Sequence, residues 1–491
     1  MLSRRRAIQL LGGAPAILRG ARRPAGDKPN LLFVWTDEQR ADTLAPWGNR
    51  RFRVPVLNRL AAESAVFTRC YDTQPVCTPA RSSVLTGLWP HTSGCLNNNI
   101  ALPAATRTLP ELLGDADYRN AYMGKWHLGD EVFPQHGFHD WVSMEDGYRD
   151  HFSPARDRNT RSSYHHFLRE AGYQPDPNSN TFPRQFAVRR PPEHCKPAFL
   201  AREASRFILE HRDRPWLLHV NFLEPHMPFF GPYNDLHSEA EAPVPENYPG
   251  APIEREPERY SGLRRKFHEG GFEGHDLKTR AGWQRLNRNY AGLCAQVDQA
   301  VARILWALEA SGAAENTVIV FTSDHGEMMG SHGLVGKSVF YEEAMRVPLL
   351  VRVPFRKQAP ARYDQPVSHI DLVPTLLDLA GRKPPEDLPG ESLVRALEGK
   401  QRRDDHVYVE WNSAPAGPNG RAVLAPDGWK MALYDTDNCL LFDRRNDPLE
   451  MHNLYYRTAS ASVIRRLRAK LEAWQRRTGD RLRLPDPPAV S

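Results

Sequence analysis

The sequence predicts an α/β protein, with a large α/β domain first and a small α+β domain after it. Three observations predict this. Runs such as Asn30-Leu31-Leu32-Phe33-Val34-Trp35-Thr36-Asp37 are apolar without alternation, as strands covered on both faces are. They alternate with amphipathic helical stretches, the order of strands joined by crossover helices. From Pro384 the texture changes to short apolar runs divided by turn residues such as Pro426-Asp427-Gly428, which reads as antiparallel.

In chain order, residues 30–37 predict a buried strand ending in an acid, the position functional residues take in parallel sheets. Residues 56–67 vary at helical spacing. Pro79 suits the first turn of a helix carrying residues 82–85, whose N-terminus would offer free N–H groups to an anion near Cys77. Residues 109–113 predict a helix, and 120–123 a short strand running into Gly124-Lys125-Trp126-His127-Leu128-Gly129. Residues 140–195 are polar, rich in Arg and Pro and without a period, and predict a long surface excursion. A helix over 199–209 precedes a strand over 215–222 that ends at Leu223-Glu224-Pro225-His226. Residues 227–280 predict loops.

A long helix over 290–309 aligns Leu293, Val297, Val301, Ile304 and Leu308 on one face. Residues 317–322 predict a third buried strand, ending in Ser323-Asp324-His325-Gly326. Residues 347–353 predict a fourth, which Pro348 marks as an edge strand. Residues 370–379 predict a helix stopped at Gly381. After a proline-rich linker come strands over 407–411, 421–424, 429–434 and 440–442, then a charged helix over 461–477. These elements divide the chain into units of residues 27–385 and 386–491.

The net charge of +6 comes from 65 Lys and Arg against 59 Asp and Glu, with no concentrated basic stripe. That suits an anionic small molecule or glycan and argues against nucleic acid. Six cysteines, at 70, 77, 95, 195, 294 and 439, show no C-x-x-C pair and no zinc spacing. Setting Cys77 aside leaves an odd number, which argues against a complete disulfide framework. Residues 1–26, opening with Ser3-Arg4-Arg5-Arg6 and a weak apolar run to Leu18, resemble a twin-arginine export signal. That resemblance implies an exported protein, periplasmic or extracellular. The run is too short to span a bilayer, and no other stretch reads as a membrane span.

The chemistry gathers at Cys77-Thr78-Pro79-Ala80-Arg81, followed by Leu85-Thr86-Gly87. A lone cysteine is most often a small buried hydrophobe. A cysteine phosphatase would place its arginine six residues on, where Ser83 stands. C-x-P-x-R with a downstream L-T-G resembles the signature of type I, formylglycine-dependent sulfatases. The resemblance runs over most of residues 28–455 and includes Leu441-Phe442-Asp443 and Asp447-Pro448. It implies an alkaline-phosphatase-like fold: a large mixed, mostly parallel sheet sandwiched by helices, with a small C-terminal α+β subdomain carrying an antiparallel sheet.

It also implies that Cys77 is oxidised to formylglycine by a formylglycine-generating enzyme. One hydroxyl of the hydrated aldehyde attacks a sulfate ester, and the other then expels sulfate.

Independently of any family, three predicted strands end in Asp37-Glu38, in His226 and in Asp324-His325. Carboxyl ends of parallel strands share one edge, so these groups can converge. A single Asp after a strand is ordinarily a cap or turn residue; several together are not explained that way. The resemblance implies that Asp37, Glu38, Asp324, His325 and the converted Cys77 hold a divalent metal. Oxygen-rich ligation favours Ca²⁺, with Mg²⁺ or Mn²⁺ open. Many relatives carry Asp-Asp where this chain has Asp37-Glu38, which leaves the metal's identity open.

Arg81 and Lys125 match residues that hold the formylglycine, and Lys337 matches a sulfate-binding lysine. His127 matches the histidine that handles the second hydroxyl, and His226 the one that protonates the leaving alcohol. His91, His165, His166 and His332 read as structural. A sulfated carbohydrate is the preferred substrate. A phosphonate or phosphate mono- or diester hydrolase and a catalytically silent sulfoglycan-binding protein are the alternatives.

Overall fold

The computed structural model describes residues 28–248, 252–356, 361–413 and 417–487. The export-signal expectation for residues 1–26 lies outside the described residues. Among the described residues no helix is long and apolar enough to cross a membrane.

Eight strands form the large sheet: β1 (Asn30–Asp37), β2 (Ala65–Phe67), β4 (Arg119–Gly124), β5 (Asp140–Val142), β6 (Trp216–Pro225), β7 (Thr317–Ser323), β9 (Leu349–Arg352) and β10 (Arg362–Tyr363). Their order is β10-β2-β9-β7-β1-β6-β4-β5. All neighbours are parallel except β9, which runs antiparallel to both β2 and β7. A three-stranded sheet joins β11 (Val367–Ser368), β3 (Cys70–Tyr71) and β8 (Arg346–Val347). The C-terminal sheet, β12 (Val407–Trp411), β13 (Gly420–Leu424), β14 (Trp429–Tyr434) and β15 (Leu440–Asp443), is antiparallel throughout.

The apolar run of β1 reflects two-sided burial. Leu32 and Val34 enter the core under the helices Lys196–Glu210 and Arg280–Ala310. Leu31, Phe33 and Trp35 enter the opposite core, with Val84 and Leu85 of helix Cys77–Thr86 and Leu376 of helix Leu372–Leu379. Both sets are essentially unexposed, so period-two alternation places apolar side chains on two cores at once. The C-terminal sheet repeats the pattern. Val407 and Val409 face Phe340 and Tyr341, while Tyr408 and Val423 pack on Leu467, Leu471 and Trp474 of helix Ala461–Thr478.

Four expectations need correction. Residues 347–353 do not form an edge strand: β9 lies inside the large sheet, between β7 and β2. Pro348 falls between β8 and β9, where the chain passes from the small sheet to the large one and needs no ladder N–H. Residues 56–67 form a helix only over Pro55–Ala62, and Ala65–Phe67 becomes β2. The loops of residues 227–280 contain a helix, Glu258–Gly270, in which Tyr260 is the buried side chain, so its pattern has no apolar stripe. The excursion over 140–195 is not confined to the surface: its first residues form β5, and Met144, Glu145 and Asp146 are buried. All six cysteines are buried and unpaired.

Candidate active site

The predicted site residues meet at the carboxyl ends of β1, β4, β6 and β7. β1 delivers Asp37, and Glu38 follows with a φ of 65°, a strained left-handed turn just past the strand end. Asp324 and His325 follow β7 directly, and the Glu38 amide donates to Asp324 Oδ1 at 3.2 Å. β4 ends at Gly124, whose φ is 121°; a Cβ there would meet the Asn221 carbonyl oxygen at 1.9 Å. Only glycine allows that close approach, and it lets the next residue, Lys125, turn into the cluster.

Helix Cys77–Thr86 starts at the cysteine, so Cys77 and Arg81 share one helical face a turn apart. The whole helix is buried. Arg81 Nη1 donates to the Lys125 carbonyl and to Asn221 Oδ1, both at 2.7 Å; Nη2 donates to Asp37 Oδ2 at 2.7 Å and lies 3.0 Å from Asp324 Oδ2. Lys125 Nζ reaches the same Asp37 oxygen at 2.5 Å. The Cys77 Sγ lies 3.7 Å from Asp37 Oδ1 and 3.3 Å from His325 Nε2.

Asp37, Cys77, Asp324 and His325 therefore present one donor atom each, all within 4.8 Å of one another, and Asp37, Glu38 and His226 form an adjoining set. These donors fit a cation. Both Glu38 carboxylate oxygens are buried, and Oε2 has no hydrogen-bond partner. The Glu38 carboxylate pairs with the Lys337 ammonium and lies 3.4 Å from His226 Nε2. Glu38 thus sits on the His226 side, outside the tight four-residue set.

The electrostatics follow from burial and these pairings. Burial pushes the Asp37 carboxyl up, but Lys125, His226 and Arg81 outweigh it and hold it well below the usual carboxylate range. Burial, reinforced by Asp37, pushes the Cys77 thiol up to about 12. A thiol held there is protonated at neutral pH, the reverse of what a cysteine nucleophile needs. Burial pushes Lys337 down to about 8. His127 and His226 are both pushed well below their ordinary value, first by burial.

His226 Nδ1 pairs with the Met227 carbonyl at 2.6 Å, so that nitrogen carries the proton and Nε2 faces Glu38. His127 has a φ of 59°; its amide donates to Glu131 Oε2 at 2.6 Å, and its Nε2 meets Asn99 Oδ1 at 2.9 Å. His91 instead pairs with Glu410 at 2.6 Å, His165 with Asp146 at 2.9 Å, and the His332 ring stacks on Tyr341.

Sequence reasoning missed five residues here. Asn221, a buried amide between Val220 and Phe222, fixes Arg81 and was legible as a polar residue in the largely apolar strand Trp216–Pro225. Glu131 holds the His127 turn. Tyr148 lies against the His127 ring at 4.4 Å, and Arg184, held by Glu145, approaches His226. These last three come from the excursion over 140–195, which carries no period to read.

Residues 29–382 match the family described as Sulfatase. This chain belongs to that family. Residues 330–477 match the C-terminal part described as N-sulphoglucosamine sulphohydrolase. The chain is 31% identical over 443 residues to the uncharacterized sulfatase YidJ of Escherichia coli (strain K12), covering 87% of this sulfatase and 83% of that protein. It is 28% identical over 499 residues to an N-acetylglucosamine-6-O-sulfatase of Bacteroides thetaiotaomicron, covering 92% and 87% of the two chains. In structure it is similar to the phosphonate monoester hydrolase SpPMH from Silicibacter pomeroyi, with a TM-score of 0.78, 24% identity and coverage of 92% and 96%. That likeness concerns the fold. The chain is a sulfuric ester hydrolase of the alkaline phosphatase superfamily.

Proposed function

We propose that this sulfatase removes sulfate from a carbohydrate sulfate ester, using Cys77 in its formylglycine form and a divalent cation. The observation that carries the reading is the buried convergence of Asp37, Cys77, Asp324 and His325 within 4.8 Å. Four groups brought there from separate elements, at a large desolvation cost, are explained by a shared ligand.

Asp37, Asp324 and His325 would hold the cation, with residue 77 as a further ligand and Glu38 closing the set from the His226 side. Bound there, Ca²⁺, or Mg²⁺ or Mn²⁺ in its place, supplies charge to neutralise sulfate oxygens. Formylglycine supplies a geminal diol, one hydroxyl to attack sulfur and a second to expel sulfate.

The chain's own groups do the rest. Arg81 fixes Asp37 and Asp324 against each other, and so sets where the substrate's sulfur must sit. Lys125 and Lys337 place compact positive charge around the sulfuryl oxygens, where charge builds in the transition state. His226 faces the leaving oxygen through Nε2 while the Met227 carbonyl holds its Nδ1 proton. To act as the acid it must take up a second proton on Nε2, which the Glu38 carboxylate 3.4 Å away favours, and pass that proton to the leaving oxygen. His127 takes the proton of the second hydroxyl on Nδ1, which has no hydrogen-bond partner while Nε2 is engaged by Asn99.

The similarity to an N-acetylglucosamine-6-O-sulfatase supports an amino-sugar sulfate, and the arginine-rich start of the chain supports export to where glycans are met. The test compares initial rates on N-acetylglucosamine 6-sulfate, 4-nitrophenyl sulfate and a phenyl phosphonate ester, using protein made with a formylglycine-generating enzyme. Sulfate esters turning over faster than the phosphonate supports the reading. A phosphonate preferred over both sulfates overturns it.

A further inference from the structure

One face of the site is built from the excursion and belongs to no motif. Arg184 opens the short helix Arg184–Ala187 and is clamped by Glu145, with its Nε 2.9 Å from Oε1 and its Nη2 on the other carboxylate oxygen. Nη2 also donates to the Tyr148 hydroxyl at 2.8 Å, and the Tyr148 ring lies against His127. Tyr148 and Arg184 thus form an arch spanning the two histidines.

Two features make Arg184 more than a brace. Glu145 is shared: Lys196 Nζ, itself buried, reaches its Oε1 at 2.5 Å. Two cations on one carboxylate leave this trio with a net positive charge.

The second feature is Nη1. It meets His226 Nδ1 at 3.5 Å, but that nitrogen is already committed to the Met227 carbonyl. Donor faces donor, and the Nη1 edge has no true acceptor there. The Arg184 side chain is 27% exposed, against 4% for Glu145 and for Lys196. The free edge therefore opens beside the leaving-group side of the site, one imidazole away from the His226 nitrogen assigned to the leaving oxygen.

We propose that Arg184 is a specificity residue: it binds a second anionic group, a sulfate or a carboxylate, on the alcohol half of the substrate. The proposal rests on the sulfate-ester reading above and deepens it. The preferred substrates are then sugars with two anionic groups near each other, one of them the sulfate being cleaved. Tyr148 and Glu145 hold the guanidinium in place, so little side-chain freedom is lost on binding.

The test measures kcat/KM of formylglycine-bearing wild type, Arg184→Gln and Arg184→Lys on three probes. These are N-acetylglucosamine 6-sulfate, with one anion; N-sulfoglucosamine 6-sulfate, with two sulfates; and a sulfated hexuronate, with a sulfate and a carboxylate. The readout is the ratio of each doubly anionic probe to the singly anionic one. Arg184→Gln lowers that ratio by roughly 10- to 100-fold, chiefly through KM, the range for losing a charge-assisted hydrogen bond. Arg184→Lys recovers most of it, because the charge returns.

A ratio that falls for one probe alone tells whether the second group is sulfate or carboxylate. Turnover of 4-nitrophenyl sulfate by each variant reports that it is folded and converted. An unchanged ratio in a variant that still turns over 4-nitrophenyl sulfate overturns the proposal. Failure of converted wild type on every sulfate ester overturns the sulfatase reading instead.

Discussion

Among the described residues, two places gather acids and a histidine closely enough to resemble a cation site, and they differ in how the groups arrive. Asp404, Asp405 and His406 are consecutive, half-exposed in the case of the two acids, and already satisfied. His406 Nδ1 meets Asp405 at 2.6 Å, and Asp404 pairs with Arg477 at 2.8 Å. Asp37, Cys77, Asp324 and His325 come from three separate elements up to 288 positions apart, reckoned from residue 37 to residue 325, and all are buried. Neighbours in sequence sit together without cost, and water screens their charge. Buried carboxylates from distant strands carry a desolvation penalty that the fold bears only where something offsets it. Closeness alone is therefore a poor sign of a site; closeness across the chain with burial is a strong one.

That contrast yields ordered expectations. Cys77→Ala lowers sulfate-ester turnover by on the order of 10³-fold or more, because no other group can both attack sulfur and release sulfate. Asp324→Asn lowers kcat/KM by roughly 10²- to 10³-fold, and a chelator such as EDTA lowers the wild-type rate until Ca²⁺ is added back. Comparing Ca²⁺, Mg²⁺ and Mn²⁺ in that restoration identifies the cation. Lys337→Ala lowers kcat by about 10²-fold, as expected for one donor lost at developing charge. Asp404→Asn with Asp405→Asn changes turnover less than about 2-fold and stability by no more than about 0.5 kcal/mol, read by steady-state kinetics and denaturant melts. A chelator-sensitive melting temperature that vanishes in this double variant would break the comparison.

The sequence made the strand-end convergence legible because buried parallel strands read as apolar runs, and a polar residue ending such a run stands out. Asp37, His226, Asp324 and His325 were visible for that reason, before any motif was considered. The four C-terminal strands were legible from their turn residues. What stayed hidden depends on contacts made far along the chain. β9 lies inside the sheet although Pro348 precedes it, because the proline sits between two strands and blocks no ladder bond. Glu145, Tyr148 and Arg184 sit in an aperiodic stretch, and only folding shows that this stretch covers the two histidines. Asn221 gave a signal that went unused: an amide in a strand whose neighbours are apolar must satisfy its donors and acceptor inside, and here it does so on Arg81 and the Trp35 carbonyl.

The central claim is that residue 77 acts as formylglycine and not as a thiol. It is tested most directly by recording, on the same samples, the mass of the tryptic peptide carrying Cys77 and the rate of sulfate release from 4-nitrophenyl sulfate. Protein made with and without a formylglycine-generating enzyme supplies a range of conversion. A peptide lighter by the exchange of sulfur for oxygen and the loss of two hydrogens, with sulfate release rising in proportion to its fraction, is the expected result. Equal turnover from protein whose Cys77 is wholly unmodified would contradict the account.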